Sequence, residues 1–259
     1  MIKVVRLDKT YEEKFWEHVK KNQLEYYFFI YDWKFQKNES QFFLAIEEDM
    51  IKGLMLIFKD SIVQLRGSRE AIRELLKHLK LKEVELSAPL DCKDVIFENF
   101  APSFQGEVML MHLEKGHEFF FKEYIPTELT SENSAEVAEL LRTSFPEWWG
   151  NVTKERIESS MKFNYWLGIK RDGKIVSVGN TRFIDFGSNI GVVATDKAHQ
   201  NKGYAKSIVS ALVEEIFKRY RRAIIHVLKS NLPAVHVYEK VGFRPYKSYF
   251  LIKNAKKIG

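Results

Sequence analysis

Hydrophobic and polar residues along the chain follow two alternating patterns. Over 42–46 and 51–58, apolar residues come in short runs or at every second position, which predicts a hairpin of two strands. Over 131–143 and 203–219, apolar residues recur every three or four positions, which predicts amphipathic helices. Because strands and helices succeed one another along the whole chain, the pattern predicts an α/β (α+β) fold.

The chain contains two related halves. Residues 42–49 match residues 165–172 position by position, and residues 95–98 match residues 236–239. A repeat of about 120 residues is far longer than the unit of a solenoid, and it indicates a duplicated α/β domain.

The two halves meet near Gly116. We expect one domain over residues 1–116 and a second over residues 117–259. Within the second domain, the first strand is predicted over 118–124 and the last strand over 246–252.

The stretch from Asn189 to Ala205 combines a strand, a polar turn and the start of a helix. Its strand is a β-branched run, and Gly203 opens the amphipathic helix. The amides of a first helical turn have no intrahelical partner, and the helix dipole favours negative charge there. Lys202 and Lys206 flank the glycine, so the stretch predicts a phosphate-binding site, although Gly203 alone also suits a plain helix start.

The first half lacks such a stretch. There, the residues from Leu65 to Arg69 run almost directly from a strand into a helix. Gly67 suits a simple turn, but an extended turn that cradles a phosphate is missing from this part of the sequence. One half is therefore equipped for the ligand and the other is not.

Three motifs in the second half occur in a characteristic order. Residues 200–205, Gln-Asn-Lys-Gly-Tyr-Ala, fit the pattern Arg/Gln-x-x-Gly-x-Gly/Ala. Asn-Leu-Pro-Ala follows at 231–234, and Tyr-Glu-Lys-Val-Gly-Phe at 238–243. In this order the motifs resemble the GNAT superfamily of acyl-CoA-dependent N-acetyltransferases, clearly over 118–252 and as a degenerate copy in the first half. The resemblance implies two tandem GNAT-like domains, each a mixed, mostly antiparallel twisted sheet flanked by helices.

The resemblance also implies a coenzyme A site built from backbone groups. Val193, Ala194 and Thr195 would pair with the pantetheine arm as though it were an added strand. The pyrophosphate would bind the amides of Gln200, Asn201, Lys202, Gly203, Tyr204 and Ala205. The expected co-substrate is acetyl-CoA, with coenzyme A as its product, and no metal is expected.

Two side chains complete the implied site. Asn231 would contact the pantetheine or the adenylate end through its amide, or it caps the helix that begins near Pro233, and the two roles are compatible. Tyr238 matches the family's usual general acid, which protonates the departing thiolate, with a pKa expected near the ordinary phenol value of about 10. The alternative for Tyr238 is a core tyrosine. In the first half, Phe97 stands at the corresponding position and has no exchangeable proton.

The general base and the acceptor site are left open by the sequence. Glu147, Asp185 and His226 are candidate bases, and a water relay is an alternative to all three. In the family that the chain resembles, the loop holding Trp148 and Trp149 often lines the acceptor site. These tryptophans therefore indicate either an apolar acceptor surface or packing between the domains.

Composition narrows the class of protein. The 41 basic and 35 acidic residues give a net charge of +6 that is dispersed along the chain, so we expect a solvated surface, or attraction to an anionic ligand, and no nucleic acid. The single cysteine, Cys92, excludes an intrachain disulfide framework and a cysteine metal cluster. No segment approaches the about 18 apolar residues of a membrane helix, and the N-terminus has no apolar signal segment, so we expect a cytoplasmic protein without membrane contacts.

These observations predict an enzyme that moves an acetyl or short acyl group from coenzyme A to a primary amine whose class is open. Cys92 lies in the degenerate half, so direct transfer in a ternary complex is favoured over a cysteinyl acyl-enzyme. The alternative is a non-catalytic acyl-CoA-binding sensor or interaction module. Aminoacyl transfer from tRNA, a third hypothesis, needs a broad basic groove. We expect a monomer or a weak homodimer in which the two halves form an internal pseudo-dimer.

Overall fold

The computed structural model describes residues 1–258, which divide into two compact units. The first unit contains Met1–Met109, Leu228–Ser230 and the chain from Lys247 onward. The second unit contains Leu110–Val227 and Asn231–Tyr246.

The chain up to Glu114 alternates strands and helices. Its strands are β1 (Lys3–Arg6), β2 (Ser40–Glu47), β3 (Met50–Phe58), β4 (Ile62–Gly67), β5 (Glu83–Pro89) and β6 (Phe100–Glu114). Its α-helices are α1 (Glu12–Val19), α2 (Tyr27–Phe35), α3 (Arg69–Lys77) and α4 (Lys93–Phe97). The predicted hairpin is confirmed as β2 and β3, which pair along their whole length.

The chain after Glu114 continues the alternation. Its strands are β7 (Thr127–Glu128), β8 (Tyr165–Arg171), β9 (Lys174–Arg182), β10 (Ser188–Thr195), β11 (Arg222–Leu228) and β12 (Arg244–Lys257). Its α-helices are α5 (Ser134–Ser144), α6 (Pro146–Trp149), α7 (Lys154–Met161), α8 (Tyr204–Phe217) and α9 (Leu232–Val241). Across residues 1–258, no helix has the length and apolar character that a membrane crossing demands.

Each unit contains a mixed, mostly antiparallel sheet, as predicted. In the first unit the strand order is β1-β2-β3-β4-β5-β12, and β4 and β5 run parallel. In the second unit the order is β6-β11-β10-β9-β8-β7, where β6 belongs to this unit from Leu110 onward, and β10 and β11 run parallel. A parallel pair needs a crossover connection, which α3 supplies in the first unit and α8 in the second.

Helices cover both faces of the second unit's sheet. The apolar face of α8 contacts β9, where Gly179 permits a close approach because a Cβ there would lie 2.5 Å from Ile208 Cγ2. On the opposite face, α5 and α7 enclose a core around Val178 and Trp166. Side chains alternate between the faces of a strand, so Gly179 faces α8 whereas Val178 faces α5 and α7.

The last strand of the chain belongs to the first unit. From Lys247 onward, β12 pairs antiparallel with β5, from Tyr249 opposite Pro89 to Lys256 opposite Glu83. The predicted second domain ran to Gly259, which lies outside the described residues. The compact units therefore divide the chain differently from the predicted boundary at residues 116 and 117, because a local pattern does not reveal which strand lies beside which.

The strand predicted over 118–124 is wrong. The chain there carries no strand ladder and instead lies along α8, where Phe121 N donates to Ser210 Oγ at 3.0 Å and Tyr124 N donates to Ser207 Oγ at 3.3 Å. Hydroxyl groups of a helix thus bond the amides that a neighbouring strand would otherwise bond.

Candidate functional site

Strand β10 is paired on both sides at its start and on one side at its end. Its parallel pairing with β11 covers Ser188 to Ile190, whereas its antiparallel pairing with β9 continues to Thr195 opposite Ser177. We call the β11-facing side of residues 191–195 the open edge.

Hydrogen bonds show which backbone groups face the open edge. The Ala194 carbonyl accepts from Ser177 Oγ on β9 at 3.1 Å, so the backbone groups of Ala194 point towards β9. Because successive residues of a strand point their N–H and C=O groups to opposite sides, Val193 and Thr195 point towards the open edge. The Thr195 carbonyl accepts from Gln200 Nε2 at 3.3 Å. Of the three predicted pantetheine contacts, Val193 and Thr195 thus have backbone groups that face the open edge, and Ala194 does not.

The turn after β10 is ordered by an aspartate. Asp196 accepts from Ala198 N at 3.0 Å and contacts His199 Nδ1 at 2.9 Å. The hydrogen bond with His199, assisted by the one from Ala198, holds the pKa of Asp196 below its ordinary value despite partial desolvation. The carboxylate therefore remains charged and fixes the chain as it enters the predicted phosphate site.

Residues 200–205, which we call the 200–205 turn, bring backbone amides to the start of α8. Asn201 and Gly203 both have left-handed backbone, with φ of 61° and 89°. Such a turn into a helix N-terminus gathers N–H groups around a concave, electropositive point. Gln200, Asn201 and Lys202 are exposed, and α8 has no acid in its first turn. The predicted anion site is therefore accessible.

The segment 119–125 lies beside that anion site. A Cβ on Gly203 would lie 2.8 Å from Glu123 Oε2, and the rings of Tyr124 and Tyr204 are 4.2 Å apart. Arg171 Nε donates to Tyr204 Oη at 3.0 Å. Sequence reasoning missed this neighbourhood, since it assigned the segment to a strand.

Helix α9 carries the other two predicted site residues. Asn231 caps it, because its Oδ1 accepts from Ala234 N at 3.3 Å. Tyr238 is 6% exposed and lies edge-on to Phe243 at a centroid distance of 6.2 Å. Desolvation raises the pKa of Tyr238 above the ordinary value that the sequence suggested, so its hydroxyl holds its proton through the neutral range.

The candidate bases lie on three different elements. Glu147 is exposed on α6, and Asp185 is exposed in the loop after β9, where its Oδ1 accepts from Phe186 N at 3.0 Å. His226 is half-buried on β11, one residue beyond Ile225, the last residue paired with β10. Of the three, His226 is the one that the strand pairing places at the start of the opening.

The two tryptophans of α6 have different surroundings. Trp149 packs against the core that contains Trp166, together with Val192 of β10. Trp148 is exposed. Trp149 therefore packs within the second unit and not between the domains, and Trp148 lies at the surface.

The first unit has closed the corresponding place. The turn there is tight, because a Cβ on Gly67 would lie 2.3 Å from the carbonyl oxygen of Lys52. Ser68 caps α3 directly, with no counterpart of the 200–205 turn between β4 and the helix. Phe97, at the position matching Tyr238, packs against Phe250, and the centroids of the two rings are 5.5 Å apart.

A buried arginine fills the end of β4. The last β4 residue that pairs with β5 is Gln64, and Arg66 lies two residues further along. Val192 has the corresponding position in the second unit, two residues beyond Ile190, the last β10 residue that pairs with β11. Arg66 is 2% exposed, and its guanidinium donates to the Leu65 carbonyl at 2.7 Å and lies 3.7 Å from the centroid of the Tyr249 ring. The first unit thus has a side chain where the second unit has an opening.

The single cysteine has a thiol of low reactivity. Cys92 is buried in the first unit, and burial together with Asp91 raises the pKa of its thiol to about 11. A thiol with that pKa is protonated at neutral pH and is a poor nucleophile.

Most of the second unit is similar to a known protein family. The family model described as Acetyltransferase (GNAT) family matches residues 134–243. A solved Drosophila protein is similar over 96% of this chain and 98% of its own, with a TM-score of 0.72 and 14% identity. A search among curated proteins found no match.

Two further solved structures are similar over the whole chain. A tandem GNAT protein from the clavulanic acid biosynthesis pathway matches with 13% identity and a TM-score of 0.61, covering 100% of this chain and 99% of its own. A GNAT-family acetyltransferase from Colwellia psychrerythraea matches with 13% identity and a TM-score of 0.55, covering 99% and 100%. At these identities the likeness shows the fold.

Proposed function

We propose, from the premise that the chain carries a GNAT-family acetyltransferase domain over residues 134–243, that the protein moves an acetyl or another short acyl group from coenzyme A to a primary amine. A domain of this family supports acyl transfer. The observation that carries the finer proposal is the open edge of β10, which leads directly into the 200–205 turn.

The 200–205 turn suits the pyrophosphate of the donor. Asn201 and Gly203 turn the chain into the N-terminus of α8 with left-handed backbone, and the amides of a first helical turn have no intrahelical partner. On the strand, Val193 offers its carbonyl to the pantetheine arm, whereas the Thr195 carbonyl already accepts from Gln200. The donor would therefore extend from the turn along the open edge.

In this proposal, Val193 N–H acts on the thioester of the donor. It would donate to the thioester carbonyl and, after attack by a neutral amine, to the oxyanion that forms. The new C–N bond forms first, and the C–S bond then breaks with the electron pair leaving on sulfur. Direct attack requires no protein nucleophile, which fits the protonated, buried thiol of Cys92.

Tyr238 would protonate the leaving sulfur. Its phenol is neutral near pH 7 and burial raises its pKa further, so a proton is available when the thiolate departs. Solvent then restores the proton on Tyr238. The surplus proton of the attacking amine leaves through water or through His226, the candidate base that the strand pairing places at the opening.

Turnover with acetyl-CoA tests the proposal. Thiol release and acylated product are measured in parallel over a panel of small amines, amino acids and peptides with free amino groups. Matched amounts of both, dependent on one class of amine, are expected. Thiol release without acylated amine is hydrolysis. Tight binding of acetyl-CoA with no product from any amine would contradict the proposal and indicate the non-catalytic sensor.

A further inference from the structure

Strand β10 contains a β-bulge at the start of the open edge. Ile190 lies opposite Thr181 and Val193 lies opposite Gly179, so two residues of β10, Gly191 and Val192, face the single residue Asn180 of β9. An extra residue in a strand leaves a backbone group without its ladder partner.

The side chain of Asn180 bonds the group that the bulge releases. Its Oδ1 accepts from Val192 N at 2.9 Å. Asn180 is 6% exposed, and a Cβ on Gly191 would lie 2.9 Å from the same oxygen. Glycine at 191 therefore makes room for the carboxamide, and the carboxamide in turn occupies the bulge.

This hydrogen bond fixes the direction of the next amide. The C=O of Val192 and the N–H of Val193 belong to one planar peptide and point in opposite directions. The Val192 carbonyl oxygen points towards β9, where a Cβ on Gly179 would lie 3.3 Å from it. With Val192 bonded to β9 through its N–H, its carbonyl also faces β9, and Val193 N–H is directed to the open edge.

We infer that Asn180 is a positioning residue for acyl transfer, which sets the bulge so that Val193 N–H points at the thioester carbonyl. The inference rests on the proposed function, in which that amide stabilises the oxyanion. Asn180 acts through Val193 and does not itself touch the reacting atoms. Its effect belongs to the chemical step more than to donor binding, because the oxyanion forms in the transition state.

A neighbouring residue separates this role from a general contribution to stability. Thr181 is fully buried on the same strand, and its Oγ1 donates to the Asn189 carbonyl of β10 at 3.1 Å. That bond also joins β9 to β10, but it lies before the bulge. Thr181→Val removes it with little change in shape, so Thr181→Val is the matched control for Asn180→Ala.

Steady-state kinetics with acetyl-CoA and the best amine is the first measurement. Asn180→Ala is expected to lower kcat about tenfold or more, part of the factor of about 10² to 10³ that loss of an oxyanion donor costs, whereas the acetyl-CoA KM should rise by a smaller factor, several-fold at most. Asn180→Asp, which keeps an acceptor oxygen, should recover part of the loss. Thr181→Val should stay within about twofold of the wild type. Equal losses of kcat in Asn180→Ala and Thr181→Val would overturn the inference.

Binding without turnover is the second measurement. Calorimetry compares acetyl-CoA with coenzyme A, because the two differ in the carbonyl that Val193 N–H would contact. The wild type should prefer acetyl-CoA by several-fold, and Asn180→Ala should lose that preference while its coenzyme A affinity stays within about twofold. A preference that survives in Asn180→Ala, or a wild type with none, would overturn the inference.

The two measurements separate the inference from the proposed function. A wild type with no turnover on any amine contradicts the proposed function, while the loss of acyl preference still decides the role of Asn180. Should Asn180→Ala fail to fold, Asn180→Thr replaces it, since a β-branched residue suits a strand and its hydroxyl is too short to reach Val192 N. Circular dichroism and Tm establish the fold of each variant.

Discussion

The carboxylate of Glu123 lies beside Gly203 at the start of α8, with Oε2 at 2.8 Å from the position of a Cβ on that glycine. A negative charge therefore sits where the proposal places the pyrophosphate of the donor.

Removing that charge should strengthen binding of coenzyme A. Glu123→Gln is expected to raise the affinity about two- to fivefold, because the carboxylate repels the pyrophosphate and competes with it for the N-terminus of α8. An interaction of one charge with a helix N-terminus changes an equilibrium by about that factor. The gain should shrink as salt is added, since the carboxylate is exposed. Isothermal titration at low and high salt measures it. Glu132→Gln removes an exposed charge elsewhere in the second unit, and a similar gain there would contradict the specific role of Glu123.

A side chain at Gly203 should abolish donor binding. Gly203→Glu places an L-residue at φ 89°, crowds Glu123 and adds a negative charge to the anion site, so the affinity for coenzyme A should fall at least tenfold. Gly173 offers a matched control, because its φ is 78° and nothing lies within 4 Å of a Cβ there. Gly173→Glu should lose stability through the same backbone strain and retain binding. Unchanged affinity in a folded Gly203→Glu would remove the 200–205 turn from the site.

Loss of the Tyr238 hydroxyl should slow the chemical step. Tyr238→Phe is expected to lower kcat about a hundredfold with the affinity for acetyl-CoA unchanged, as for removal of a general acid. Tyr220→Phe, a half-buried tyrosine of the same unit, serves as the control and should keep full activity. Full activity in Tyr238→Phe would assign the proton to another donor.

The raised pKa of Tyr238 predicts a particular pH dependence. Since the folded pKa lies above the ordinary value of about 10, the proton is present throughout the range below pH 10 and is lost only as the pH rises through the folded pKa. The stability that is linked to this shift is fully present below about pH 10, and it is lost as the pH rises through the folded pKa. The kcat of the wild type should therefore show no decline due to Tyr238 below about pH 10. A decline near neutral pH that disappears in Tyr238→Phe would contradict this.

One molecule of coenzyme A should bind per chain. Arg66 fills the end of β4 in the first unit, and the tight turn at Gly67 offers no counterpart of the 200–205 turn. Titration calorimetry should give a stoichiometry of about one for the wild type. Gly203→Glu, which alters the second unit alone, should leave no saturable site, and a residual site in that variant would show that the first unit binds the donor.

Local signals explain which parts of the molecule were predictable. The strand, turn and helix around Gly203 follow from periodicity and a glycine within a short stretch, and the structure has them at the predicted place. The amides of Phe121 and Tyr124 bond to Ser210 and Ser207, more than eighty residues later, so the predicted strand at 118–124 failed. Such partners are set by tertiary contacts that a window of sequence does not contain.

The positioning of the site depended on strand register. The bulge opposite Asn180 exists only in the pairing of β9 with β10, and a change of one residue in that pairing would turn Asn180 to the other face. The raised pKa of Tyr238 likewise follows from its burial, whereas the phenol itself was evident from the motif. Residue types were therefore readable from the sequence, and their environments were not.

The pairing of β12 with β5 has a consequence for synthesis on the ribosome. All residues of the second unit have been made once Tyr246 is added, whereas the first unit lacks the partner of β5 until residues 247–257 emerge. During translation, the half that is made first therefore waits with an unpaired strand edge, a surface prone to wrong pairing. The unit that carries the proposed chemistry is therefore complete before the first unit can pair the last strand with β5.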